Sequence, residues 1–184
     1  MPGMVQLPGP GVVDQTSFAY LNLFGYAPDP GPSVLTELSA TGTSLDFDVG
    51  PNADVIVLSV AGISTDGTSL MMVQLTDGGG AQATGYTGVI TDTGGTNTAL
   101  TTGFLLTRAQ VAAATYTGKI VLHRHGSTNT WVSSSIVSRT DGGALSLYTS
   151  AGGVTLDDAC VGIRLTMVNG TDAFDAGSAA AQWE

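Results

Sequence analysis

From residue 45 onward the sequence alternates short apolar runs with clusters of Gly, Asp, Asn and Thr, and this alternation limits the fold more than any other feature. The dipeptides Asp66-Gly67, Asp77-Gly78, Asp141-Gly142 and Asn169-Gly170 tolerate positive φ and close hairpins. Between such signals the apolar runs are too short for helices and the right length for strands. Strands are expected at residues 45–48, 55–64, 69–76, 84–90, 101–108, 118–123, 130–138, 144–149, 160–168 and 174–183. The one expected helical turn is a short connection at residues 108–114, where Ala and Gln collect. Ten strands of this length imply two packed sheets, so the expected fold is all-β, an antiparallel jelly-roll-like β-sandwich. Composition agrees: charged residues are only 11%, leaving little material for the surface of helices.

Residues 1–40 read differently. Six of the seven prolines fall there, at Pro2, Pro8, Pro10, Pro28, Pro30 and Pro32, a density that disfavours regular sheet or helix and favours an extended arm. The expected division is therefore an N-terminal anchoring arm, 1–40, and a sandwich domain, 41–184. Within the arm Phe18, Tyr20, Phe24 and Tyr26 place four aromatic rings in nine residues. Aromatic rings are common interface anchors, so these four are the expected partner-binding residues. The same rings could instead complete the core of their own sandwich. Two runs in the body, at residues 55–60 and 70–75, are apolar on nearly both faces, which requires cover on both sides. The arm or a symmetry mate is the expected second cover. Residues 160–168 alternate instead, with Ile163, Leu165 and Met167 inward.

Charge and cysteine content narrow the function. Fifteen acidic residues against five basic ones give a formal charge of −10, which repels a phosphate backbone, so no nucleic-acid partner is expected. No apolar run approaches the length of a membrane helix, and no membrane insertion is expected. The first residues lack the basic and apolar regions of a secretory signal. Cys160 is the only cysteine, which rules out an intramolecular disulfide and leaves a small buried hydrophobe as its simplest role.

Catalytic constellations are missing from the sequence. There is no Gly-x-Ser-x-Gly elbow, and the glycine run at 78–80 is not followed by an amphipathic helix, so it reads as a loop rather than a dinucleotide cradle. The two glutamates, Glu37 and Glu184, do not form the opposed pair of a glycosidase. His123 and His125 share a strand face but lack further ligands nearby, and the acidic pairs Asp46/Asp48, Asp157/Asp158 and Asp172/Asp175 read as turn and edge chemistry. No enzymatic activity, cofactor or metal is expected. The Asn169-Gly170-Thr171 sequon reads as a hairpin turn. Trp131 and Trp183 read as core or core-rim residues, with sugar stacking as the alternative for an exposed one.

The run from Leu156 to Ser178, with Ile163-Arg164-Leu165-Thr166, Asn169-Gly170-Thr171-Asp172 and Phe174-Asp175-Ala176-Gly177, resembles the C-terminal stretch of tailed-phage and prophage virion proteins of the tail-fibre-like group. These tend to end in an aromatic followed by Glu, as Trp183-Glu184 does. Val60-Ala61-Gly62-Ile63, Thr101-Thr102-Gly103-Phe104 and Asn129-Thr130-Trp131-Val132 look like the same group's internal landmarks, so the resemblance covers residues 44–184. It implies a virion structural protein: a short fibre, spike or knob on a phage particle, commonly a homotrimer, bound to other virion proteins and reading a host-surface glycan or protein. A capsid decoration protein is the alternative. The acidic loops at 77–85, 91–102 and 141–153 are where a host ligand would be read. One departure from the group is the run Ala179-Ala180-Ala181 before Trp183, where larger β-formers are usual. Small side chains permit close approach, so these four residues are the expected subunit contacts.

Overall fold

A computed structural model describes residues 34–112 and 114–184. Thirteen strands and no helix occur among the described residues: β1 Val34–Ser39, β2 Ser44–Asp48, β3 Val55–Thr65, β4 Met71–Asp77, β5 Gly80–Ala81, β6 Thr87–Asp92, β7 Asn97–Ala99, β8 Phe104–Leu105, β9 Thr115–Arg124, β10 Thr130–Asp141, β11 Ala144–Thr155, β12 Gly162–Met167 and β13 Phe174–Trp183. They form an eight-stranded sheet in the order β1-β13-β3-β9-β10-β11-β6-β7 and a five-stranded sheet in which β2-β12-β4-β5 is joined by β8 against β4. Every pairing is antiparallel.

The order identifies a jelly roll. Strands β1, β13, β3 and β9 lie side by side in one sheet and β2, β12, β4 and β5 in the other, so the chain crosses from sheet to sheet at each of its first three steps and again between its last two strands. Such crossing gives the two nested Greek keys of an eight-stranded jelly roll. The hairpin β10–β11 and the pair β6–β7 extend the larger sheet beyond β9. Long strands follow from the alternation in sequence: in β10, Trp131, Ser133, Ser135 and Val137 are buried while Val132, Ser134, Ile136 and Ser138 are exposed. The β10–β11 turn is set by Gly142 and Gly143, both at positive φ (51° and 104°) between the paired Asp141 and Ala144. That is a two-residue loop of the kind that matches strand twist.

Between the sheets lies one continuous core, with Trp131, Tyr116, Tyr148, Phe47 and Phe104 the largest fully buried side chains. Burial of each such side chain contributes about 1.5–3 kcal/mol. The buried hydroxyls are used as well. The Tyr86 and Phe104 rings meet edge to face, centroids 4.8 Å apart, and Tyr86 Oη accepts from the Leu75 amide at 2.9 Å.

Three expectations change. First, residues 34–39 of the expected arm are a strand, β1, paired along its length with β13, so residue 34, seven before residue 41, already belongs to the sandwich. Second, the helical turn at 108–114 does not form over the described residues. Gln110 is instead buried in a polar chain: it donates to Thr65 Oγ1 at 3.0 Å and accepts from Thr107 Oγ1 at 2.9 Å, while Thr107 accepts from the Met71 amide. The Tyr116 and Tyr148 hydroxyls then hold the backbone at Val111 and Ala109, which leaves those groups unavailable to a helix. Third, the outward side of β4 is covered by the chain itself. Gln74 donates to the Thr102 carbonyl at 2.8 Å and Thr102 rests on the Met72 sulfur, so neither the arm nor a symmetry mate is needed at Met72 and Gln74.

Candidate interaction face

Among the described residues, nothing covers the outward side of the eight-stranded sheet. Cross-strand register aligns its outward residues in rows. One row runs Leu35, Gln182, Val57, Val121, Ser134, Ala151, Val89 and Ala99, and the next runs Glu37, Ala180, Ser59, Lys119, Ile136, Thr149, Thr91 and Asn97. Further rows add Val55, His123 and Val132 at one end and Thr117, Ser138 and Leu147 at the other. Of the eight exposed large hydrophobics among the described residues, six stand here: Leu35, Val89, Val132, Ile136, Leu145 and Leu147. Leu145 is 76% exposed and Leu35 65%, values at which an isolated surface leucine gains nothing from its own fold.

Two shallow hollows mark the face. One, of about 300 Å³, lies near the tip of the β10–β11 hairpin among Ser138, Thr140, Leu145, Leu147 and Thr93. The other, of about 110 Å³, lies among Val55, Val57, Gln182 and Trp183. Charge is sparse. Glu37 and Lys119 are the charged members of the two long rows, and Asp175 and Glu184 stand at the rim on and just beyond β13. The other described carboxylates lie in turns, at strand ends or on the smaller sheet. Three of them pair with arginines, Asp92 with Arg108 at 2.7 Å, Asp46 with Arg164 at 2.6 Å, and Asp54 with Arg124. Hydrogen bonding from Arg108 holds the Asp92 carboxyl below its usual range, burial opposing it only in part.

The expected contact residues divide. Ala179 and Ala181 are 1% and 0% exposed, on the inward side of β13, and β13 is hydrogen-bonded on both edges, to β1 and β3. Their small size accommodates the smaller sheet, with β2 packed against β13, and they cannot serve as subunit contacts. Ala180 faces outward among the small residues of the face. Trp183 is half-buried and packs on the core, its ring at the end of the sandwich, so it serves as core rim. Trp131 is fully buried. Phe18, Tyr20, Phe24 and Tyr26 lie outside the described residues.

The remaining candidates are local. His123 is outward on β9 and His125 begins the β9–β10 turn, its carbonyl accepting from Thr128; among the described residues no group of three or more His, Cys, Asp or Glu side chains converges as a metal site would require. Cys160 is buried, donates to the Gly162 carbonyl at 3.3 Å, and has its thiol pushed up by burial. Among the described residues no helix is long and apolar enough to cross a membrane. Comparison with family models, with curated proteins and with solved structures finds no match. The face was missed in the sequence reading, although the alternation Val132, Ser134, Ile136, Ser138 within residues 130–138 carries its signal: an outward side without the charge that normally marks solvent.

Proposed function

We propose that this chain is a structural protein of a tailed-phage particle, a subunit of a short fibre, spike or knob that is anchored by the residues before β1 and carries a jelly roll toward the host surface. The observation that carries the reading is the charge-poor outward face of the eight-stranded sheet. A sheet face that carries six exposed large hydrophobics and few charges has little use in a monomer in water, whereas a subunit of a larger assembly has a use for it. The resemblance at residues 156–178 adds the kind of assembly, and it falls on β12, its turn and the start of β13, the strands that lie next to the edge strands β2 and β1. Jelly rolls serve viral structural and sugar-binding proteins alike, and fold by itself does not choose between them.

The test is made on particles. Immunogold labelling of phage released from the source host is expected to mark the tail or vertex with few copies, and loss of the gene product is expected to abolish adsorption. A protein beginning at residue 34 is expected to remain folded and fail to join the particle. The cut belongs there rather than at residue 40, because Val34–Ser39 is a strand of the body. Labelling spread over the whole head, with a heat-sensitive capsid in its absence, would move the assignment to a decoration protein. No label on any particle rejects the virion reading altogether.

A further inference from the structure

We propose that Asn169 is a site of spontaneous covalent modification, deamidating through a succinimide in the folded chain, and that the product releases the contact between the β3–β4 and β12–β13 loops. The inference goes beyond the assembly proposed above and does not depend on it.

The first step is local. Of the chain's five asparagines, Asn22, Asn52, Asn97, Asn129 and Asn169, only Asn169 precedes a glycine. Gly170 has a φ of 67° and carries no Cβ, so no side chain of its own stands between its amide nitrogen and Asn169 Cγ. Both residues are exposed, which gives access to the water that the second step consumes. The turn also polarises the amide. Asn169 Oδ1 accepts from the Thr171 and Asp172 backbone amides, each at 3.1 Å, and Asn169 Nδ2 donates to Asp172 Oδ1 at 2.6 Å. Two backbone donors on one carbonyl oxygen stabilise negative charge as it develops there. One contact opposes attack: the Gly170 amide donates to the Met167 carbonyl at 3.0 Å. That is a single hydrogen bond in an exposed turn, which local opening breaks.

The chemistry balances with water alone. The Gly170 nitrogen bonds to Asn169 Cγ, the Cγ–Nδ2 bond breaks, and ammonia leaves with the proton from the Gly170 nitrogen. Water then opens the ring. Addition at the side-chain carbonyl gives aspartate, and addition at the backbone carbonyl gives isoaspartate, whose main chain runs through the former side chain.

The consequence follows from what surrounds residue 169. Ser69, on the other loop, holds both ends of the contact: its amide donates to Asp172 Oδ2 at 2.8 Å and its Oγ accepts from the Asn169 amide at 2.9 Å. Beside it the Ala173 amide donates to Asp66 at 2.7 Å. A carboxylate in place of the Asn169 amide turns a donor and an acceptor into two acceptors of like charge. Asp66 is the other acid in the contact, and among the described residues no arginine pairs with any of the three positions. Two carboxylates at hydrogen-bonding distance do not both stay ionised in place, so one turns away and the loops part. The change is irreversible, and it falls immediately before β13.

The experiment incubates the purified full chain in mildly alkaline buffer beside a synthetic peptide of residues 164–175, and maps both by mass spectrometry after digestion. Conversion of residue 169 to a mixture of aspartate and isoaspartate is expected in the folded chain, with Asn52, Asn97 and Asn129 unchanged. Isomerisation at the Asp-Gly turns leaves mass unaltered and does not imitate it. A folded chain that keeps Asn169 while the peptide converts overturns the inference. Asn169→Asp copies one product directly and is expected to lower the urea midpoint at neutral pH; a midpoint equal to that of wild type overturns the release of the loops. Adding Asp172→Asn to it restores one amide and one carboxylate with their roles exchanged, and is expected to return the midpoint toward wild type. A double variant no more stable than Asn169→Asp alone overturns the like-charge account.

Discussion

Two methyl groups on β13, those of Ala179 and Ala181, sit between the sheets with almost no exposure, while the methyl of Ala180 between them faces out. Enlarging them therefore has opposite consequences. Ala181→Leu adds three carbons to a filled core and is expected to cost about 1–3 kcal/mol, read as a lower urea midpoint. Ala180→Leu is expected to change the midpoint little. The sequence made the strand legible, since residues 174–183 run as expected, but the alanine run concealed which members faced inward. Alanine is equally at home against an opposing sheet and against a neighbour, and only register decides between them. Cys160 shows the converse: a lone cysteine in an apolar stretch reads as buried, and it is. Its thiol is shielded and its ionisation pushed up by desolvation, so a thiol-directed chromogenic reagent is expected to react with native protein far more slowly than with protein in urea. Equal rates would mean that the segment before β12 opens readily.

At the scale of elements, the turns are the best-read parts of the chain, and one pair of them does more than reverse direction. The loop after β3 and the loop after β12 lock together. Asp172 accepts from the Ser69 amide at 2.8 Å and from the Asn169 side chain at 2.6 Å, and the Ala173 amide donates to Asp66 at 2.7 Å. Gly67 lies so close to Asp172 that a Cβ there would fall about 2.0 Å from the carboxylate, which explains a glycine at this position without appeal to its φ. The Ser69 amide first and the Asn169 side chain second hold the Asp172 carboxyl below its ordinary range. A carboxyl whose folded pKa is depressed stabilises the fold above its unfolded pKa and loses that contribution as pH falls through the folded value. The lock is thus expected to weaken below about pH 4. Asp172→Asn is expected to lower stability at pH 7 and to flatten the decline between pH 5 and pH 2, measured by urea midpoints at each pH. A decline as steep as that of wild type would assign the acid sensitivity elsewhere, Asp92 being the next group with a lowered pKa. The Asp-Gly and Asn-Gly signals located these turns. That two of them meet could not be read locally, because their partners are about a hundred residues apart.

For the whole molecule, crossing between sheets makes the C-terminal strand structurally central although it is last in sequence. β13 lies between β1 and β3, and β12 between β2 and β4, so the final two long strands each bridge strands from the first half of the chain. The sandwich and ten of its thirteen strands were legible from turn spacing, while β1, β5 and β7 were not. The jelly-roll order and the pairing of β1 with β13 depend on which distant strands meet, and apolar alternation carries no such label. The topology has a consequence for truncation. A chain ending at residue 173 leaves β1 with no neighbour and exposes one edge of β3 together with the core surface that Phe174, Ala179 and Ala181 close. Without β13 the larger sheet loses its first strand as well as its second, and the buried area lost exceeds what a marginal stability of about 5–15 kcal/mol tolerates. Such a chain is expected to show no cooperative urea transition, whereas a chain of residues 34–184 is expected to retain one, followed by tryptophan fluorescence from Trp131, which both chains contain. A cooperative transition in the shorter chain, with a midpoint near that of wild type, would mean that β3 through β12 suffice and that β13 is an addition to the fold. The connectivity argues otherwise, since β1 is held in the sheet by β13 alone.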